Sequence, residues 1–303
     1  MTNISAMTAL QSLNSTNKQL DVTQSRISTG YRVASAEDNA AYWSIATTMR
    51  SDNGALSTVK DALGLGAATI DVAYTGMNSA IEVAKEIKNK LVAARQPGID
   101  RAKVQSEMAE LQNQLLSISQ SSVFSGENWL SVDSGDAAYN ATKTIVASFS
   151  RSGGAITIGT ISVDLLTTEL LDANDQSGIL DSEDTTANGG VAYSITSLDI
   201  SALTDTDVDL QDLEQMISWV DDGISSMTTA ASNLGAVKQR TNLQKEFIGS
   251  LMNAIDRGIG ALVDADMNEE STRLQALQVQ QQLGVQALSI ANQNSQSILS
   301  LFR

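Results

Sequence analysis

Three short motifs in this 303-residue chain carry residue types that do chemistry elsewhere. Val132-Asp133-Ser134-Gly135 contains the Asp-Ser-Gly of an aspartic-protease loop. That chemistry needs two such loops sharing one proton, and the chain has no second one, so the tripeptide reads as a turn. Asp205-Thr206-Asp207-Val208-Asp209 has the opening spacing of a calcium loop, but the required glycine is Leu210 and the twelfth position is Met216. An acidic start to a helix, favourable to its dipole, is the better reading. Asn3, Asn14 and Asn140 begin glycosylation-like triplets that read as accidental. With no histidine and no cysteine, the usual zinc ligands, disulfides and thiolate nucleophiles are missing. The chain is expected to be no enzyme and to hold no metal or cofactor.

What would position such residues is a set of long helices. From Leu210 to Leu262 mostly apolar residues recur at 3-4 spacing: Leu210, Leu213, Ile217, Val220, Ile224, Met227, Ala231 and Leu234. After polar Lys238, Thr241 and Lys245 the row resumes in phase at Ile248, Met252, Ile255, Ile259 and Leu262. A 3.5-residue apolar period held this long keeps one stripe facing a partner helix. Rising about 1.5 Å per residue, it predicts a rod of roughly 80 Å. Leu56, Leu63, Ile70, Met77, Ala84 and Leu91 form a matching row, with Gly66 as its weak link. Pro97-Gly98 ends that helix. Asp100 is placed to cap the next, whose row is Val104, Met108, Leu111, Leu115 and Ile118. Segments 56–95, 101–120 and 210–262 therefore predict one bundle.

Residues 138–206 change character, being rich in Gly, Ser, Thr and Asp. Alternation at Ala155–Ile158, Ile161–Val163 and Val191–Ile195 predicts short strands, with a bulge where the phase slips at Gly159-Thr160. The chain carries 19 basic and 35 acidic residues, and 17 of the acidic but only 2 of the basic lie between 131 and 223. Such a block faces water and argues against nucleic acid as a partner. No apolar run is long enough to span a membrane, and the N-terminus lacks the basic and apolar stretches of an ordinary signal peptide.

The ends are uncharged: no charge occurs from Met1 to Asn17, nor over the 29 residues Leu274–Phe302. They keep a helical row at Leu10, Leu13, Asn17, Leu20, Gln24 and Ile27, and at Leu274, Leu277, Gln281, Gly284, Leu288, Ala291, Ser295, Ile298 and Phe302. In a homopolymer each misplaced charge is repeated along the assembly, whereas amides hydrogen-bond to each other without that penalty. Ends so weakly apolar are expected to order only on assembly.

Leu20–Arg50 resembles the N-terminal signature of bacterial flagellins at Ile27-Ser28-Thr29-Gly30, Arg32-Val33 and Ser35-Ala36-Glu37-Asp38-Asn39-Ala40-Ala41. Leu234-Gly235-Ala236-Val237-Lys238-Gln239-Arg240, Asp264-Ala265-Asp266-Met267 and Gln278–Leu301 resemble its C-terminal signature. Together these cover about 1–130 and 210–303. Tyr42-Trp43 departs from the family's usual Gly-Leu, and Lys85–Ala93 departs from the stretch that animal and plant immune receptors see in flagellins, so receptor recognition is not implied. Some flagellins carry a zinc protease in the insert; without histidine that chemistry is closed here.

The resemblance implies a mainly α fold: a long coiled-coil rod built from both chain halves, with a small β-rich inserted outer domain. Segments 1–45 and 260–303 would form the inner filament core, 46–137 and 207–259 the outer-tube bundle, and 138–206 the surface-exposed variable domain. It implies a subunit that polymerises with itself into the extracellular flagellar filament used for swimming, with other flagellins as co-subunits. Type III export without a cleaved signal, and an export chaperone, junction proteins and a cap protein as partners, follow from the same likeness. Leu10, Leu13, Leu20, Ile27, Arg32, Asp38, Leu274, Leu277, Leu288, Ile298 and Phe302 are the expected polymer-packing residues. Leu63, Ile70, Met77, Leu111, Leu115, Ile217, Ile224 and Leu234 are the expected rod seam. A hook-filament junction protein and a secreted rod-like adhesin are the alternatives. The first should not form long filaments alone. The second would use an insert whose aromatics are few, chiefly Tyr139, Phe149 and Tyr193.

Overall fold

The computed structural model describes residues 4–188 and 190–301. Among the described residues five α-helices dominate: α1 (Ile4–Thr29), α2 (Ala40–Ala94), α3 (Arg101–Ser121), α4 (Asp207–Val263) and α5 (Met267–Leu301). The predicted class holds, though α2 begins sixteen residues before the first heptad leucine, at Ala40 rather than Leu56. Its N-terminus is fixed by Asn39, whose Oδ1 accepts from the backbone N of Ala41 and Tyr42 at 3.1 Å.

The chain forms two compact units, Ala55–Ser250 and a second made of Met1–Gly54 with Leu251–Arg303. In the Ala55–Ser250 unit, α2 and α4 run antiparallel, tied by Lys238–Asp71, Lys88–Asp221 and Arg95–Glu214 ion pairs. The apolar rows fill the space between helices: Leu63, Ile70, Met77, Leu115 and Leu234 are buried, and Leu111, Ile217 and Ile224 half-buried. Thr241 within the polar interval is also buried, its hydroxyl satisfied by the Val237 carbonyl at 2.8 Å. Gly98 takes a positive φ of 81° in the α2–α3 turn, a conformation costly for residues with a Cβ. Asp100 accepts from Lys103 N as the cap of α3. The buried Arg101 guanidinium then reaches Ala94 O, Leu203 O and Asp205 Oδ1, joining this turn to the approach of α4.

Between α3 and α4 the described residues form eight strands in four two-stranded pairs. They are β1 (Val123–Phe124), β2 (Glu127–Asn128), β3 (Ser131–Val132), β4 (Thr142–Ser152), β5 (Ala155–Asp164), β6 (Leu171–Asp172), β7 (Asp184–Thr185) and β8 (Ala192–Tyr193). Strand structure thus starts before residue 138. The β4–β5 hairpin is antiparallel, with its irregularity between Val146 and Ser148, opposite Thr160 and Gly159. The bulge lies at the expected rung, but the extra residue, Ala147, is on the partner strand. Ile145, Ile161 and Val163 are buried, whereas Ile156 and Ile158 near the hairpin tip are exposed.

Small residues let this layer seat on the helices. A Cβ on Gly66 would lie 2.6 Å from Ile145, one on Gly76 would lie 2.3 Å from Ser122 Oγ, and one on Gly223 would lie 2.4 Å from Ile195. The weak link in the α2 row is therefore a docking point. On α3, Gln112 and Gln105 donate to the backbone carbonyls of Ile195 and Leu198 and of Leu198, respectively, and Gln105 Oε1 accepts from Ile200 N. The seven-residue spacing puts both amides on one face.

Candidate assembly surface

In the unit formed by the two chain ends, α1 and α5 pair antiparallel. Arg26 Nη1 meets Glu270 Oε1 at 3.1 Å, Asn17 Oδ1 accepts from Gln281 Nε2 at 2.8 Å, and a Cβ on Gly284 would touch Leu13 at 3.2 Å. The pairing stripe of α1 is Ala6, Ala9, Leu13, Asn17, Leu20, Thr23 and Ile27, of which only Leu20 and Thr23 are fully buried. Leu274, Leu277, Gln281, Gly284, Leu288 and Ala291 supply the other side, with Leu277 buried and the rest half-buried. Over the described residues α1 and α5 are both helical, and the pairing stripe supplies burial that each helix lacks alone.

Leu10 does not join the stripe. It is 49% exposed and lies on the outer face with Ile4 and Met7, because Ala6, Ala9 and Leu13 already occupy the positions toward α5. On α5, Val279, Leu283, Val285 and Ile290 are more than half exposed. An open groove of about 710 Å³ is lined by Ile4, Thr8 and Ala9 of α1 and by Gly284, Ala287 and Ile290 of α5, of which Ile4 and Ile290 are also widely open to solvent. Ile298 is helical, and Phe302 lies outside the described residues.

The connector between α1 and α2 closes on the end of α4. Gly30 ends α1 with φ 76°, its N–H on Arg26 O at 2.8 Å and its carbonyl accepting from Ala265 N at 2.9 Å. Val263 O accepts from both Arg32 N and Val33 N, at 2.7 and 3.1 Å. Arg32 Nη2 donates to Leu262 O at 3.0 Å and to Ala261 O at 3.4 Å. A cation on the last carbonyls of a helix satisfies orphan acceptors and opposes the dipole. Val33 is buried with Ala46, Ile259 and Val263, and Met49, Ile255 and Leu262 pack around them. Asp38 Oδ2 accepts from Ser35 N and Ala34 N at 3.0 Å. These bonds, that from Ser35 foremost, hold its carboxyl below the ordinary aspartate value. Tyr42 and Trp43 are exposed, so the packing one turn into α2 is done by Ala46. Arg50 stands 5.0 Å over the Tyr31 ring.

Sequence reading missed Glu270, which is buried beside Arg26 and Arg273 with Oε2 lacking a hydrogen-bond partner. Its signal was available: Asp266 caps α5 through Asn268 N and Glu269 N, so the acidic pair falls in the first helical turn. The Asp-Ser-Gly tripeptide is a turn, with Asp133 Oδ1 accepting from Gly135 N. In the acidic run, Asp205 pairs with Arg101, and Asp209 accepts from Thr204 N.

Two family models match the chain: the bacterial flagellin N-terminal helical region over residues 1–134 and the C-terminal helical region over 217–302. Flagellin C of Rhizobium meliloti (strain 1021) is 51% identical, over all of this chain and 98% of that protein. The chain belongs to the flagellin family. Flagellin A of the same strain is 43% identical, over the whole chain and 99% of the relative, and a flagellin of Brucella melitensis is 44% identical, over the whole chain and 98% of the relative. This flagellin is a structural subunit of the flagellar filament, an extracellular structure, and flagellins polymerise with themselves. Full-length likeness to filament subunits favours neither the junction protein nor the adhesin. No described helix is long and apolar enough to cross a membrane.

Proposed function

We propose that the outer faces of α1 and α5 are the contacts through which copies of this flagellin stack into the filament's inner core. In this reading segments 1–45 and 260–303 form that core, 46–137 and 207–259 the surrounding tube, and 138–206 the outward domain. One observation carries it: Ile4, Met7 and Leu10 on α1, and Val279, Leu283 and Ile290 on α5, are left open on helices without charged neighbours over long stretches. Apolar rows of this kind gain roughly 25 cal/mol per Å² when covered, and uncharged flanks let identical copies approach without repulsion. Contacts between different faces of successive copies propagate into a helical filament.

Leu13, Leu20, Ile27, Leu274, Leu277 and Leu288 hold α1 on α5, Arg32 and Asp38 fix the connector, and Leu10, Ile298 and Phe302 belong to the contacts between copies. The role is architectural and asks for no catalytic group. An export chaperone, junction proteins and a cap protein are its assembly partners, other flagellins its co-subunits, and the flagellar type III apparatus its export route. Electron microscopy of the purified chain after salt-induced, seeded assembly tests the reading. Filaments are expected; a chain that stays dispersed while α1 and α5 are fully helical overturns it.

A further inference from the structure

Glu169 is a carboxyl group that the filament role does not use. It follows a short 3-10 turn (Leu165–Thr167) and precedes β6, and it is only 2% exposed. Its Oε2 accepts from the Tyr139 hydroxyl at 3.1 Å. Its Oε1 lies 3.5 Å from Ser177 Oγ, which is also 3.4 Å from Asp172 Oδ2. Ser177 has one hydroxyl hydrogen to give, so two ionised carboxylates would compete for it. The second oxygen of Asp172 already accepts from Ser134 N at 3.0 Å and Asn174 N at 2.9 Å. One added proton on either carboxyl would satisfy these atoms, and the two backbone N–H donors to Asp172 favour the distribution that leaves the charge there. Glu169 Oε1–H donates to Ser177 Oγ, the Ser177 hydroxyl donates to Asp172 Oδ2, and Asp172 carries the negative charge.

The surroundings support that distribution. The groups facing Glu169 are Tyr139 ahead of β4, Asp172 of β6, and Asp175 and Ser177 in the loop beyond; Asp164 and Asp172 also act on Tyr139. Burial above all, with the charges of Asp172 and Asp175, pushes the Glu169 carboxyl up against the opposing hydrogen bonds of Tyr139 and Ser177, whereas backbone N–H groups hold Asp172 down despite its burial. Burial above all, with acidic neighbours such as Asp172 and Asp164, pushes the Tyr139 phenol up to about 12, so it stays a donor. Asp181, linked to the site through Asp172 N at 2.8 Å, is also pushed up by burial.

The loop that Ser177 belongs to is closed tightly. Ile179 N donates to Glu169 O and Leu180 N to Leu170 O, and a Cβ on Gly178 would stand 2.5 Å from Leu170 O. We infer that Glu169 keeps its proton in the folded outer domain, and that this proton fastens the 172–181 loop as a latch which loosens when the carboxyl ionises. The proton leaves to solvent, no bond other than O–H is broken, and two adjacent anions then lack the shared hydrogen. The sign follows from the raised folded value: the latch's stability is complete below the unfolded glutamate range and is lost as pH rises through the folded value. The 172–181 loop should therefore be tighter below the folded Glu169 value than above it.

The test compares the full chain with Glu169→Gln and Tyr139→Phe by infrared titration of protonated carboxyl groups and by hydrogen exchange of amides 170–181. Glutamine reproduces the protonated pattern, its oxygen toward Tyr139 and its NH2 toward Ser177. The parent should show a carboxyl that stays protonated above the ordinary glutamate range and is absent from Glu169→Gln. Its loop protection should fall several-fold with rising pH, whereas Glu169→Gln should keep its protection. Tyr139→Phe removes a donor to the anion and should move the carboxyl titration to higher pH. Absence of a protonated carboxyl in the parent, or the same loss of protection in Glu169→Gln, overturns the inference.

Discussion

The bundle from Ala55 to Ser250 and the paired chain ends are built from the same kind of helix yet finished differently. In the bundle the apolar rows close on each other, with Leu63, Ile70, Met77 and Leu234 all at 0% exposure, and ion pairs such as Lys238–Asp71 fix the register. In the chain ends α1 and α5 fully bury only Leu20, Thr23, Leu277 and Glu270 among their described side chains, and present apolar rows to solvent. The bundle is complete as a single molecule, while the ends are half of an interface. A filament subunit needs both: a part that stays folded before assembly and a part whose remaining apolar surface is satisfied by copies.

The sharpest way to break this contrast is to remove residues 274–303. Assembly should be abolished, with sedimentation showing a monomer and circular dichroism a bundle that still melts cooperatively; filaments from this truncation would defeat the division. Next in size, Met77→Ala opens a cavity between closed helices and should cost about 2–5 kcal/mol, read from denaturant unfolding. Gly66→Val forces a side chain against three atoms of Ile145 and should cost about 1–3 kcal/mol, with the loss of protection concentrated in β4 and β5 by hydrogen exchange. Arg32→Ala uncaps α4 and should cost about 1 kcal/mol, since its guanidinium is partly solvated. Smallest on stability is Leu283→Gln. Unfolding should shift by less than about 0.5 kcal/mol, yet the critical concentration for assembly should rise. A destabilised monomer with normal assembly would reverse the reading of that face. Acid sharpens the connector: Asp38 sits below its ordinary value, so its contribution is present above the unfolded aspartate range and lost as pH falls through the folded one. Asp38→Asn should flatten that part of the acid-unfolding profile.

Much of the architecture was legible because heptad spacing is a local property. Each row from Leu210 to Leu262 and from Leu56 to Leu91 needs only a partner stripe, and the structure supplies one. Pro97-Gly98 and Asp100 mark a turn and a cap by backbone chemistry alone. Legibility fails where burial depends on a distant segment. Leu10 fits a heptad on paper, but Leu13 and Ala9 face α5 and turn it outward. Gly66 looks like a defect until Ile145 arrives on it from another part of the chain. The bulge beside Gly159 is visible as a phase slip, but only strand pairing puts the extra residue at Ala147.

Sequence alone determined that this protein is a long-helix, uncharged-ended subunit without histidine or cysteine chemistry, because periodicity, charge and composition are carried by each residue wherever the chain goes. Tertiary structure decided which apolar rows close and which stay open, that Arg32 locks the end of α4, and that Glu169 and Asp172 meet at the Ser177 hydroxyl. Those outcomes depend on which distant atoms come within a few ångströms, and no local spacing encodes that.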